Sequence, residues 1–339
     1  MSRHRFADFL LTLCLLLLAE LTVRLFLPHD VSGRFSYGYD RESGVVESGE
    51  VIQLVRAGGR RFHPQSFSRQ RPPDTLRLMV IGDSVPRGPN LRAAYPAQLQ
   101  KILADSGINA EVINLAVPGF GARRCRLVVE KILQYEPSLI ILHLNDSNEY
   151  EDEREYRRSQ EFQGWHPRHW LMHSFILARA YEIKTEKLQW RLLPEKIRQQ
   201  QMLNDADAEL AASLDEAQQR QWRQRLWQTT RETVALIQAR SIPVILVIQA
   251  SRQPGDHDPE SLDDHGLEAL GQSLQGPGVQ VVSMRQVFAG LNPLTPYFAD
   301  SAHLTPAGHQ RLAAALAAMI RHGEGWQKKR TGAGNAAIP

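Results

Sequence analysis

From Leu76 onward, short continuous apolar runs alternate with stretches whose apolar residues recur at helical spacing. The run Leu76–Ile81 reads as a strand. A helix near Ala97–Ser106 follows, with Leu99, Ile102 and Leu103 on one face and Gly107 as its stop. Then come a strand at Glu111–Leu115, a helix near Ala122–Gln134 and a strand at Leu139–Leu144. A helix around Leu226–Ala239 feeds the strongly apolar strand Pro243–Ile248. A helix through Leu262, Leu267 and Leu270 precedes the strand Val279–Val282. The last helix opens at Thr305-Pro306, an N-cap followed by proline at the first helical position, and turns Leu312, Leu316, Met319 and Ile320 inward. Strands that are apolar nearly throughout are buried on both faces. The pattern therefore predicts an α/β fold, three-layer α/β/α, with a five-stranded parallel sheet over residues 76–322.

Three stretches break that rhythm. Residues from about 151 to 220 begin with a dense run of charges (Glu151 to Arg158) and continue as helical sequence rich in Gln, Arg and Leu. This reads as a helical insertion after strand 3, either a cap over the strand ends or a plain solvated extension. Residues 29–75 are rich in Gly, Ser, Arg and Pro, and Val51–Val55 alternates as a strand does. They predict a juxtamembrane segment with a hairpin that packs on the main domain. Its arginines Arg56, Arg60, Arg61, Arg69 and Arg71 read as a solvated surface. Residues 323–339 have the low hydrophobicity of a disordered tail.

The amino-terminal segment from Phe9 to Leu27 is apolar and follows Arg3, His4 and Arg5. As a helix it reaches about 28 Å, enough for a hydrocarbon core. Glu20 and Arg24 interrupt it at i,i+4 spacing, where they can pair. With no small-x-small site after the apolar core, an uncleaved signal anchor over residues 1–28 is favoured over a cleaved signal peptide. The basic start predicts a single pass through the inner (cytoplasmic) membrane, with the following domain periplasmic or otherwise extracytoplasmic.

Composition adds little to this. The 339 residues are 42% hydrophobic and 23% charged, with a formal charge of +3, which gives no reason to expect nucleic acid as a partner. Cys14 and Cys125 do not make a disulfide framework. His257, Asp258, Asp263, Asp264 and His265 lack a metal-ligand spacing and read as a solvated loop. No Gly-rich phosphate loop is present, so neither a metal nor a cofactor is expected.

The chemistry lies at the strand ends. Gly82-Asp83-Ser84 ends the first strand, and Val85-Pro86-Arg87-Gly88 is expected to break any immediate helix. A serine hydroxyl is a poor nucleophile until a base lies within hydrogen-bond reach. Asp300-Ser301-Ala302-His303 offers an imidazole and a carboxylate to orient it, in the loop after the last strand. In a parallel sheet both loops open on the carboxyl edge and can meet there. Gly119, after the second strand, can present its N–H as an oxyanion donor, and Asn145 and Asn148, after the third, can supply amides. Arg123, Arg124 and Arg126 either greet an anionic group or lie on an outer helix face. His309, one helical turn beyond His303, reads as structural.

Taken together, these blocks resemble the SGNH/GDSL hydrolase family. Gly82-Asp83-Ser84, the stretch Asn114–Gly119, and Asp300 to His303 followed by Leu304–His309 match its pattern, and Tyr95-Pro96 and Leu99 fit the segment after the family serine. The Gly-x-Ser-x-Gly elbow of the α/β-hydrolases is absent at Ser84. The resemblance implies an SGNH/flavodoxin-like fold, Ser84 as nucleophile, His303 as general base and Asp300 as its orienter. It also implies an oxyanion hole from the Ser84 and Gly119 N–H groups and an asparagine. One block departs: His143 stands where the family has glycine, and the asparagine is Asn145 or Asn148. The implied function is hydrolysis or transfer of O-acyl, chiefly O-acetyl, groups on an extracytoplasmic carbohydrate. A lipid esterase is the alternative. From another class comes a non-catalytic domain that binds glycan or partners in envelope polysaccharide assembly.

Overall fold

The computed structural model describes residues 3–26, 44–57, 60–149, 152, 153, 156, 174, 176, 216–253 and 261–322. Most of the expected insertion and the whole tail 323–339 lie outside them. The chain opens with α1 (Arg3–Phe26), whose leucines Leu15 to Leu18 are each more than half exposed. Glu20 accepts hydrogen bonds from the Ser174 hydroxyl at 2.9 Å and the Ile176 N–H at 3.0 Å, two residues within the range of the expected insertion. Among the described residues, no helix is long and apolar enough to cross a membrane.

The expected hairpin is a three-stranded antiparallel sheet, β1 (Val45–Ser48), β2 (Val51–Ala57) and β3 (Arg60–Ser68), in that order. It packs on the main domain through Ile52, Leu54, Phe62 and Phe67. The first parallel strand, β4 (Leu76–Ile81), carries a fully buried arginine, Arg77, which fastens this sheet. Arg77 pairs with Glu111 at 2.8 Å and donates to the carbonyls of Tyr135 at 2.7 Å and Ser68 at 2.9 Å. A buried cation is tolerated only with such a complete set of acceptors. Of the arginines expected on the surface, Arg69 and Arg71 are both exposed; Arg69 pairs with Glu47, and Arg71 donates to the Thr75 carbonyl at 2.6 Å.

The remaining elements follow the expected alternation. They are α2 (Ser84–Arg87), α3 (Tyr95–Asp105), β5 (Ala110–Asn114), α4 (Ala122–Ile132), β6 (Leu139–Leu144), α5 (Glu216–Gln238) and β7 (Val244–Ile248). A small hairpin, β8 (Ser251–Gln253) and β9 (Ser261–Asp263), precedes α6 (Leu267–Leu274), β10 (Val279–Ser283), α7 (Met284–Val287) and α8 (Pro306–His322). The helix α2 corrects the expectation that Val85–Gly88 breaks any immediate helix. Pro86 lies within the first turn, where its missing N–H costs nothing, and Gly88 closes the turn at φ 66°. Helix α3 begins at Tyr95, ahead of the expected Ala97, because Pro96 suits a first turn.

The five strands are parallel in the order β10-β7-β6-β4-β5. The chain leaves β4 for one side and crosses back to β6 on the other, so the crevice of this sheet opens between β4 and β6. Alternate residues serve the two faces. Met79, Ile81, Ile140 and Leu142 pack with α4 and α5, while Leu78, Val80, Leu139 and Ile141 pack with α3 and α8.

The second face also holds a buried polar ladder. The Tyr95 ring stacks on His143 at a centroid distance of 6.0 Å and lies 6.3 Å from His309, whose Nδ1 accepts the Tyr95 N–H at 3.3 Å. His309 is therefore structural, as expected. Burial, then the nearby charges of His143 and His303, lowers its pKa from the ordinary 6.5 to about 4. Above pH 6.5 the ring is neutral whether the chain is folded or not, and the stability from burying it is fully present. As the pH falls below 6.5 the unfolded chain takes up the proton first, so stability drains away until about pH 4. Urea unfolding at pH 7 and at pH 4.5 should show the wild type losing about 2 kcal/mol more than His309→Gln over that interval. Equal losses in the two proteins would disprove the assignment.

Candidate active site

Asp83 lies two residues beyond β4 and caps α2. Only 1% exposed, its carboxylate accepts the Val85 N–H at 3.0 Å through Oδ1. Its Oδ2 takes the side-chain amides of Asn145 at 2.5 Å and Asn148 at 2.6 Å. Ser84 is the first helical residue, so its N–H belongs to the unpaired first turn of α2. Gly82 lets β4 run this close to β6: a Cβ there would stand 2.7 Å from Pro86 Cγ and 2.9 Å from His143 Cβ. His143 replaces the family glycine without disturbing the strand, because its ring enters the polar ladder below.

The loop before α8 brings the remaining two residues. Thr305 caps α8 by accepting the Gly308 N–H at 3.2 Å, which fixes the chain just beyond His303. Asp300 Oδ1 accepts the N–H groups of Ala302 at 2.8 Å and His303 at 2.7 Å, and its Oδ2 meets His303 Nδ1 at 2.7 Å. His303 Nε2 lies 2.8 Å from Ser84 Oγ. With Nδ1–H donated to Asp300, Nε2 is left as the acceptor for the serine proton. Burial pulls the Asp300 carboxyl upward, but the hydrogen bonds from the His303 ring and from the two N–H groups outweigh it and hold the pKa at about 2. The side chains of His303 and Asp300 are 46% and 45% exposed, so this edge is open to a bulky reactant.

The third group sits after β5. Gly119 is buried with φ 71°, a backbone conformation that suits glycine. Its carbonyl accepts from the Arg124 guanidinium, which also bonds Asp152. Arg123 pairs with Glu153 at 2.6 Å, and Arg126 with Glu130 and Glu232. The anionic groups these arginines greet are thus the protein's own carboxylates. Beside them Glu149 accepts the Ala122 N–H at 2.7 Å. Burial, then the charge of Asp152, raises its pKa to about 8.

The structure therefore brings Ser84, His303 and Asp300 into one hydrogen-bonded series. Asn145 and Asn148 both reach the residue next to the serine, and Gly119 is held by Arg124. Asp263, Asp264 and His265 do not assemble a metal site. Asp264 accepts the Glu268 N–H at 2.7 Å and pairs with Arg285, and His265 pairs with Asp146 at 3.2 Å. Among the described residues, no group of three His, Cys, Asp or Glu side chains could hold a metal ion. His257 and Asp258 lie outside the described residues. Sequence reasoning singled out the arginines but not their partners Asp152 and Glu153, which it read only as part of a charge run.

A model of the GDSL-like lipase/acylhydrolase family matches residues 80–311. No curated protein sequence matches the chain. Among solved structures, the chain is similar to an acetyl xylan esterase at 14% identity and a TM-score of 0.44, covering 72% of this chain and 99% of that one. A catalytic variant of an acetylxylan esterase from Geobacillus stearothermophilus matches at 15% identity and a TM-score of 0.42, covering 74% and 95%. A member of the lipolytic G-D-S-L family from Veillonella parvula matches at 12% and 0.40, covering 73% and 98%. The family match takes in Gly82-Asp83-Ser84 at one end and Asp300 to His303 at the other, the two ends that the geometry joins. The chain belongs to the GDSL-like lipase/acylhydrolase family and is a carboxylic ester hydrolase.

Proposed function

We propose that Ser84 is the nucleophile, His303 the general base and Asp300 its orienter. The substrate is an O-acylated, chiefly O-acetylated, carbohydrate outside the cytoplasm. The observation that carries this reading is the unbroken series Ser84 Oγ, His303 Nε2, His303 Nδ1 and Asp300 Oδ2, at 2.8 and 2.7 Å. Ser84 Oγ bonds to the ester carbonyl carbon as its proton passes to His303 Nε2. The Ser84 and Gly119 N–H groups, with an amide proton of Asn145 or Asn148, receive the developing oxyanion. Each asparagine gives one amide proton to Asp83 and has a second to offer. The C–O bond to the leaving alcohol then breaks, and that alcohol takes the proton from His303. Water, or an acceptor hydroxyl in the transfer reaction, releases the acyl group by the same route. A carbohydrate is favoured because the half-exposed His303 and Asp300 side chains leave the edge open to a bulky polar alcohol.

The proposal keeps anchoring by α1 in the inner membrane, although no described helix is by itself long and apolar enough to cross one. Leu15, Leu16, Leu17 and Leu18 are consecutive, so they point all round the helix, and all are more than half exposed. A helix apolar on every side needs a non-aqueous cover. A reporter fused after Pro339 is expected to be active only outside the cytoplasm, and a reporter active only inside it overturns the orientation.

Ser84→Ala should abolish p-nitrophenyl acetate hydrolysis in folded protein, and a fluorophosphonate probe should label Ser84 in the wild type. Full activity in the variant rules out the mechanism, and folded wild type that resists labelling supports the non-catalytic binder instead. Acetyl esters should be cleaved in preference to long acyl esters; the reverse preference favours the lipid reading. Product analysis with an acceptor sugar separates transfer from hydrolysis. Of Asn145→Ala and Asn148→Ala, the variant that removes the oxyanion donor should lose about a hundredfold in kcat. Near wild-type kcat in both would exclude a side-chain donor.

A further inference from the structure

Beneath the triad lies a polar contact that the reaction itself does not use. Gln249 follows β7 directly and is 2% exposed. Its Nε2 donates to the carbonyls of Ala250 and Ala302, each at 3.0 Å. Two carbonyl partners fix which end of the side chain is the amide nitrogen, so Oε1 is the atom 2.8 Å from His143 Nε2. His143 must then carry its proton on Nε2, which leaves Nδ1 to accept from the Tyr95 hydroxyl at 3.4 Å. Burial lowers the His143 pKa and so favours this neutral ring.

The carbonyl that Gln249 holds belongs to the peptide joining Ala302 to His303. The N–H of that same peptide is donated to Asp300 Oδ1 at 2.7 Å. One peptide plane is thus gripped on both edges, by Gln249 from the sheet and by Asp300 from the loop. It sets where the His303 Cα stands. The neighbouring Ser301 carbonyl accepts the Arg252 N–H at 2.6 Å, which ties the loop to β8 as well.

We propose that Gln249 is a positioning residue for His303, and that His143 locks the Gln249 rotamer. The assignment rests on the triad proposed above. In Gln249→Glu the side chain keeps its shape and still accepts from His143, but it sets a carboxylate oxygen against the Ala302 carbonyl. In Gln249→Met the donor is removed without adding charge. Each variant is compared with the wild type for fluorophosphonate labelling of Ser84 and for kcat and KM on p-nitrophenyl acetate. The core variant Leu246→Ala, which loosens the same strand away from this network, serves as the reference. A displaced base should lower kcat and the labelling rate by about tenfold to a hundredfold. KM should stay within about twofold and labelling should still reach every folded chain, while Leu246→Ala keeps the wild-type kcat. Wild-type rates in both Gln249 variants, an equal loss in Leu246→Ala, or failure of both Gln249 variants to fold would each overturn the assignment. If the wild type itself is not labelled, the triad falls and this role falls with it. Normal wild-type labelling beside unchanged rates in both Gln249 variants removes only the role of Gln249.

Discussion

A carboxyl group as deeply buried as that of Asp83 needs hydrogen-bond donors, and the way it finds them organises the site. One oxygen caps α2 through the Val85 N–H; the other gathers the amides of Asn145 and Asn148 from the loop after β6. The ends of β4 and β6, the two strands that flank the crevice, are therefore stitched together at the residue before Ser84. The serine N–H cannot turn without breaking the cap, and the asparagines cannot leave without stranding a buried acceptor. Gly82 is the steric condition for this closeness, since a side chain there would meet both Pro86 and His143.

The parts of this architecture that could be read from the sequence are those with a local signal. Apolar runs such as Leu139–Leu144 and Val244–Ile248 gave the parallel strands because burial on both faces leaves no polar alternation. Asp300 and His303 were visible because three residues of separation is a spacing the chain itself fixes. Helix α2 was misread because proline was weighed as a breaker rather than as a first-turn residue. Arg77 lies inside an apolar strand and is fully buried there. Its acceptors, Glu111 and the Tyr135 and Ser68 carbonyls, come from elsewhere in the chain, and no local pattern reports them.

His143 shows the same limit from the other side. As a departure from the family pattern it marked the third block as altered. In the fold it is a neutral ring between Tyr95 and Gln249, on the face of β6 that packs against α3 and α8. Its backbone still serves the block, and the altered side chain takes part in a different structure, the layer beneath the catalytic loop.

The other face of the sheet, where α4 packs, carries the opposite kind of polarity. There the contacts are between full charges: Arg124 with Asp152, and Arg123 and Arg225 with Glu153. Arg124 and Asp152 have almost no exposed side-chain surface, and the Arg124 guanidinium also takes the Gly119 carbonyl. Removing either partner of such a pair leaves an uncompensated charge in the interior, which typically costs several kcal/mol. The glycine loop after β5 and Asp152, which follows β6, are therefore tied to each other through the Arg124 guanidinium. The insertion thus starts from a fixed point beside Gly119, and a change in how its first turn sits would reach the site through the Arg124 guanidinium.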